Sequence, residues 1–474
     1  MISRPKLNQG ITWLIVFIMF GVLCRFGLWL RISYAPWLTV TGDGVGYEQI
    51  ARNLLEGYGF SMEAAPPYLP DMIRTPGYPL FIAAIYWLFG YRPEMVTLAQ
   101  NLLSLGLLLI GYLLAKRLFG PKAAMFAAAL MALDVGGIIL ANVTFTETLF
   151  IMLFVSATYC LFRSFDSPRG IDWMAGAGLL LGLATLVRPA SLYLLIVLLP
   201  LIWWMMRYSW REKGIRTIIF GAVFLLMLAP WSYRNFRVFG SPNITLAVQS
   251  ITLNIHASYI RAGLNHTTLA EEEPRIPEQV RQELGGRTVS ALEMDELIRA
   301  KAVAEIMQHP GEYVLLYLKS IGLTLLLPNT NFLANALGIL NQPTGIIADM
   351  RTRSLTENIQ VLLEFSAHYL AGSPDQALFF ITTVIEVLVT FVTHGLAVVG
   401  TVIGLRSERR AYIVLLLVII AYFFIITGPI GTGRYRLPAM PYLMMLAGYG
   451  LEQLQTWLQM RRRQKLQPDY SYPQ

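Results

Sequence analysis

Charge is scarce in this chain, and that scarcity decides its class. Asp, Glu, Lys and Arg make up 14% of the 474 residues, against 55% hydrophobic. Cysteine is nearly missing: Cys24 and Cys160 both lie inside apolar runs, which excludes a disulfide framework and a CxxC metal site. The 5 histidines show no ligand spacing, and neither a P-loop nor GxGxxG occurs, so a nucleotide or nucleotide-sugar site is unsupported. No cofactor is predicted, and a divalent metal finds no ligand set. Internal repeats and low-complexity linkers are also lacking. The net charge of +8 could suggest nucleic acid, but its distribution argues against that partner.

What is present is a series of apolar runs near 20 residues, each long enough to cross a hydrocarbon core of about 30 Å. This predicts an all-α, polytopic membrane protein embedded in the lipid bilayer. Basic residues gather in short loops and tails: Arg4/Lys6, Lys116/Arg117/Lys122, Arg163/Arg169, Arg207/Arg211/Lys213/Arg216, Arg406/Arg409/Arg410 and Arg461/Arg462/Arg463/Lys465. Placing all of them in the cytoplasm gives about ten spans, near 11–33, 95–115, 123–141, 145–163, 172–188, 190–206, 217–232, 378–404, 411–428 and 438–456, with both termini inside. Parity then forbids Pro79 to Gly90 and Tyr313 to Leu327 from crossing, and both read as interfacial helices on the outer side. The resulting organisation is a first span in 1–33, an outer loop in 34–94, six spans in 95–232, an outer region in 233–377, the last spans in 378–460 and a basic cytoplasmic tail in 461–474. An inner (plasma) membrane location with an extracytoplasmic site follows from that orientation.

The outer side carries the unusual polar residues. Asp43, Tyr47, Ile50 and Leu54 share one helical face, with Asp43 at or near the N-cap. Asp43 is therefore either a cap or a general base, and the two roles are compatible. Glu147 closes a capping-box pattern, Thr144-Phe145-Thr146-Glu147, and stands equally open to a structural or an active-site role. Arg74 precedes the turn Thr75-Pro76-Gly77-Tyr78-Pro79, Arg234 follows Pro230-Trp231-Ser232-Tyr233, and Arg434 and Arg436 bracket Tyr435. Each arginine alone reads as a snorkeller, whereas the four together with two acids read as a shared anion site. Arg25 is read as a snorkeller, and Arg188 is left open.

These stretches carry a family resemblance. The run from Asp43 to Phe60, beginning Asp-Gly-Val-Gly-Tyr, followed by Arg74-Thr-Pro-Gly-Tyr-Pro-Leu-Phe81, resembles bacterial GT-C glycosyltransferases. These belong with the dolichyl-phosphate-mannose protein mannosyltransferases and the aminoarabinose lipid A transferases. Gly178 to Pro189, Pro230 to Asn235 and Gly433 to Pro438 are similar too, and the likeness is weakest over 241–375. The resemblance implies a GT-C fold, a polyprenyl-phosphate-linked sugar donor (undecaprenyl or dolichyl) and an inverting transfer on the extracytoplasmic face. It implies that Asp43 is the base, and that Arg74, the basic residue before a proline, and Arg234 contact the carrier phosphate; the residues themselves add Tyr78, Arg434 and Arg436 as candidates for the same binding site. The chain departs from the protein mannosyltransferases at Gly44, where they carry an Asp-Glu pair, and lacks their soluble insert, so the acceptor is left as a glycan, lipid or protein.

The chemistry agrees with the residue types. A departing phosphomonoester has a second pKa near 6 and needs no general acid. One base for the acceptor hydroxyl and fixed positive charge at the phosphate suffice. The competing class, a transporter or flippase of lipid-linked or anionic solutes, predicts repeats, broken mid-membrane helices and charges near the bilayer centre.

Overall fold

The computed structural model describes residues 9–339 and 373–466, with isolated positions 356, 357, 360 and 364 between them. The expected Arg4/Lys6 cluster, most of 340–372 and the last eight tail residues lie outside the described residues. Every regular element among the described residues is helical. From the N-terminus these are α1 (Gln9–Ile32), α2 (Asp43–Glu56), α3 (Gly77–Phe89), α4 (Pro93–Phe119), α5 (Pro121–Ala132), α6 (Val135–Ala141), α7 (Glu147–Ser164), α8 (Gly170–Val187), α9 (Leu194–Met205) and α10 (Trp210–Phe239). A second group follows: α11 (Val248–Asn265), α12 (Leu269–Glu272), α13 (Arg275–Leu284), α14 (Ala291–Gln308), α15 (Pro310–Leu326) and α16 (Thr330–Ala336). The chain closes with α17 (Pro374–Leu405), α18 (Arg410–Ile426), α19 (Gly433–Arg436) and α20 (Met440–Leu466).

Local chemistry sets the boundaries. Pro93 and Pro121 open α4 and α5 at positions where no backbone donor is needed. Capping boxes start α10 (Ser209 with Glu212) and α17 (Ser373 with Gln376). Each predicted span contains a helix, but among the described residues six helices are long and apolar enough to cross a membrane, or seven if the bent α5–α6 pair is one span. Length and composition of the described helices do not confirm the expected count of about ten. The run at 123–141 is interrupted at Leu133-Asp134, where α5 and α6 meet at 54°. α9 and α18 are apolar but short.

The main core joins α4, α5, α7, α8, α10, α17, α18 and α20. α17 and α20 approach closely: a Cβ on Gly400 would lie 2.0 Å from the Leu446 carbonyl oxygen, and one on Gly450 2.3 Å from that of Leu396. Small residues at such a crossing let two apolar helices pack backbone to backbone. The second group has a separate small core of Ala257, Ile260, Ile276, Val280, Ala302 and Ile306. α3 has 13 residues, about 20 Å of helix, which is short of a bilayer crossing.

Arg25 is not a snorkeller. It is buried and donates to the carbonyls of Gly21 (3.0 Å), Ala132 (2.5 Å) and Met131 (3.1 Å) and to Ser104 (3.1 Å). The break after α5 frees carbonyls that need donors, and Arg25 supplies them.

Candidate active site

The ends of α2, α7, α8 and α19 bring Asp43, Glu147, Arg188 and Arg434 together. α2 begins at Asp43 itself, with Gly42 as its N-cap at φ 52, so Asp43 is in the first helical turn and the cap has no side-chain hydrogen bond. The approach of α2 to the start of α7 depends on Gly44, where a Cβ would lie 2.6 Å from the Thr144 carbonyl oxygen. The Thr144 amide bonds the Thr39 carbonyl at 3.0 Å and ties the two segments further. The departure at Gly44 from the Asp-Glu pattern thus has a packing cause: no side chain fits there.

Glu147 is the buried centre of the group, 1% exposed. Its Oε1 accepts from Arg188 Nη1 and from Arg434 Nε, while Thr146 Oγ1 lies 3.4 Å from Oε2. Arg434 also donates from Nη1 to Asp43 Oδ2 at 2.8 Å and lies over the Phe145 ring at 4.2 Å. Burial alone would lower the Arg434 pKa, but the Glu147 and Asp43 carboxylates hold it above its ordinary value. Arg188 lies over the Tyr435 ring at 5.3 Å. Asp43 keeps a half-exposed carboxylate, with 53% of its side chain open to solvent. It has one oxygen on Arg434 and a face toward solvent, which is what a proton acceptor for an incoming hydroxyl requires.

A second group forms around Asp71. Its Oδ1 accepts from the amides of Ile73 (3.0 Å) and Arg74 (2.7 Å), an Asx turn that aims the Arg74 side chain. Arg74 Nη1 lies 3.7 Å from Asp71 Oδ2, and its guanidinium stands 5.3 Å from the Tyr47 ring centroid. Gly46 leaves the space it needs, since a Cβ there would lie 2.5 Å from Arg74 Nη2. Arg234 donates to the Asp71 carbonyl (3.0 Å) and to Asn235 Oδ1 (2.9 Å), stacked among Trp231, Phe239 and Phe60. Both of these acceptors are neutral.

Tyr47 stands between the groups, one turn of α2 beyond Asp43. Burial, and next the Asp43 carboxylate, push its pKa up to about 12, so it remains a phenol. Thr75 Oγ1 reaches the Val187 carbonyl at 3.4 Å, which sets the Arg74 turn against the segment leading to Arg188.

Asp43, Glu147, Arg74, Arg234 and Arg434 thus lie in two neighbouring groups. Two other predicted site residues bond elsewhere with their polar groups, although the Tyr78 ring meets that of Tyr47 edge-on at 5.2 Å. Tyr78 is fully buried, with its hydroxyl on Gln100 Oε1 at 2.5 Å, because α3 turns it into the core. Arg436 is 2% exposed and pairs with Glu386 at 3.0 Å, on the opposite side of α19 from Arg434. Residues two apart on a helix point about 200° from one another. Arg188, left open in the sequence, belongs to the site, and Asp71 was missed, although Asp71-Met-Ile-Arg74 has the spacing of an Asx turn. Among the described residues no group of three or more His, Cys, Asp or Glu could hold a metal ion.

Known proteins share this architecture. A family model described as dolichyl-phosphate-mannose-protein mannosyltransferase matches residues 73–233. The candidate mannosyltransferase YkcB of Bacillus subtilis (strain 168) is 24% identical over 196 residues, 41% of this chain and 26% of YkcB. The apo oligosaccharyltransferase of Archaeoglobus fulgidus superposes with a TM-score of 0.52 at 13% identity, over 98% of this chain and 53% of its own. AglB from the same organism, in complex with an inhibitory peptide and a dolichol-phosphate, gives a TM-score of 0.51 at 12% identity, over 98% and 53%. The chain therefore spans about a quarter of the length of YkcB and about half that of the archaeal enzymes.

The fold is that of the GT-C class of multi-pass membrane proteins. The segment matched by the family model contains Arg74, Glu147 and Arg188, and over that segment the chain is similar to the mannosyltransferase family.

Proposed function

We propose that the protein is an inverting glycosyltransferase that moves a sugar from a polyprenyl-phosphate carrier to an acceptor hydroxyl on the extracytoplasmic face. One observation carries the reading: a half-exposed Asp43 lies one turn of α2 from Tyr47, whose ring is 5.3 Å from Arg74, and Arg74 and Arg234 together hold more positive charge than the nearby Asp71 carboxylate cancels. Asp43 accepts the proton of the attacking hydroxyl. The anomeric carbon–oxygen bond to the phosphate breaks as the new glycosidic bond forms, and Arg74 and Arg234 receive the charge that develops on the departing phosphate. A positive site of this kind suits a carrier like the dolichol-phosphate bound in the AglB structure.

The test is transfer by the purified full chain from a panel of radiolabelled polyprenyl-phosphate sugars into total membrane extract. Product that forms with wild type and is lost with Asp43→Asn supports the reading; no product with any donor overturns it. The face is tested in intact cells with an impermeant maleimide. Cysteine at the exposed Val45, beside Asp43, should label, and cysteine at the exposed Gln459 near the far end of α20 should not. The reverse pattern would put the site in the cytoplasm.

A further inference from the structure

Arg434 and Arg436 share the four-residue helix α19, yet Arg436 has no part in the site. Its Nη2 donates to Glu386 Oε1 at 3.0 Å and to Thr390 Oγ1 at 3.2 Å, and its Nη1 donates to the carbonyls of Thr324 (3.3 Å) and Leu327. Glu386 lies within the apolar helix α17, 1% exposed. It also accepts from the Asn329 side chain at 2.8 Å and the Asn329 amide at 2.9 Å. The pair thus ties α19 to α15, α16 and α17 at once. The pair is closely packed: a Cβ on Gly136 would lie 2.7 Å from Asn329 Nδ2 and 3.0 Å from Glu386 Oε1. Gly433 presses on the same frame, with room for no side chain against the Leu327 carbonyl 2.1 Å away.

An ion pair buried in an apolar helix is a costly way to hold helices together, because apolar residues of similar volume often hold them as well or better. What it adds is direction, since a forked guanidinium fits its acceptors in one orientation. We propose that the Glu386–Arg436 pair is a positioning device: it fixes the height and rotation of α19, and so places Arg434 between Glu147 and Asp43. The inference rests on the transferase reading only for its effect on rate. Its effect on the placement of Arg434 stands apart.

Two readouts separate those claims, both on the full chain in detergent. The first is modification of Arg434 by p-hydroxyphenylglyoxal, mapped by mass spectrometry; the second is sugar transfer from an undecaprenyl-phosphate donor. Glu386→Gln alone leaves Arg436 unpaired and can fail to fold, so the main variant is Glu386→Gln with Arg436→Met, which removes the pair together. Thr390→Val is the milder companion. In wild type Arg434 is held by two carboxylates and is protected. In the paired replacement its modification should rise severalfold, kcat should fall about tenfold to a hundredfold, and donor KM should change little. Adding Arg434→Met should cause little further loss, since both changes remove one interaction. Thr390→Val should shift both readouts in the same direction by less. Unchanged protection of Arg434, or losses that multiply with Arg434→Met, would overturn the proposal and leave the pair a purely structural tie. Should wild type transfer nothing, the transferase reading fails and the modification result still decides the positioning.

Discussion

The two arginine groups on either side of Tyr47 look alike in composition and differ in balance. Around Glu147, two arginines face two carboxylates, and the charges cancel. Around Asp71, Arg74 alone faces the carboxylate, while Arg234 bonds a backbone carbonyl and an amide oxygen. The first group is closed on itself; the second has charge left for an anion. Counting arginines cannot distinguish such groups. The acceptors that each guanidinium already holds decide which one is free to take a phosphate.

The largest expected effect falls on the closed group. Asp43→Asn removes the proton acceptor and should cut transfer by about 10²–10⁴-fold. The Asp43–Arg434 pair is half exposed, so folding should change by about 1 kcal/mol or less. Near wild-type rates would move the base elsewhere. Glu147→Gln should act on stability instead, because it leaves Arg188 and Arg434 facing one another without their shared carboxylate. A loss of about 3–5 kcal/mol is expected, seen as a lower midpoint of thermal unfolding. An unchanged midpoint would show that the group is not closed by Glu147.

Effects on the open group should be smaller and should appear in binding. Arg74→Ala or Arg234→Ala should weaken polyprenyl-phosphate affinity about tenfold or more, the value of one charge-assisted hydrogen bond of about 1.5–3 kcal/mol. Lysine should rescue in part, keeping charge but losing the fork. Unchanged affinity in all four variants would remove the phosphate from this site. Gly46→Ala should give the smallest effect, about 1 kcal/mol or roughly fivefold in affinity, as the new methyl displaces the Arg74 guanidinium. No change there would mean that the observed Arg74 position is not the one that binds.

Much of this was legible in the sequence, for identifiable reasons. Apolar runs fix helices, and polar residues beside them are conspicuous, so Asp43, Arg74, Glu147 and Arg234 stand out. Direction around a short helix is not legible, which is why Arg434 and Arg436 could not be separated: the start of α19 is set by the fold, not by a capping signal. The inward turn of the Tyr78 hydroxyl was not legible for the same reason, since the turn before α3 could aim either face at the core. The break in the third run escaped because Asp134 sits among apolar neighbours with no proline to mark it. Glu386 and the buried Arg436 put charge inside the bundle, where charge confined to the outer surface was expected. A lone carboxylate within the apolar stretch from Ala377 to Leu405 was the available signal.

The contact of Arg25 with the end of α5 has a consequence for how the chain enters a membrane. A helix that stops within lipid exposes carbonyls that nothing in the hydrocarbon can satisfy. Here the donors come from the first helix, made earliest and more than a hundred residues upstream. The broken third segment is thus an incomplete membrane element by itself, whatever its hydropathy. It becomes a stable one only once α1 is beside it, so during synthesis α1 must remain within reach until Ala132 has emerged. A chain with Arg25→Met would still offer α1 to the bilayer and would strand the segment that depends on it.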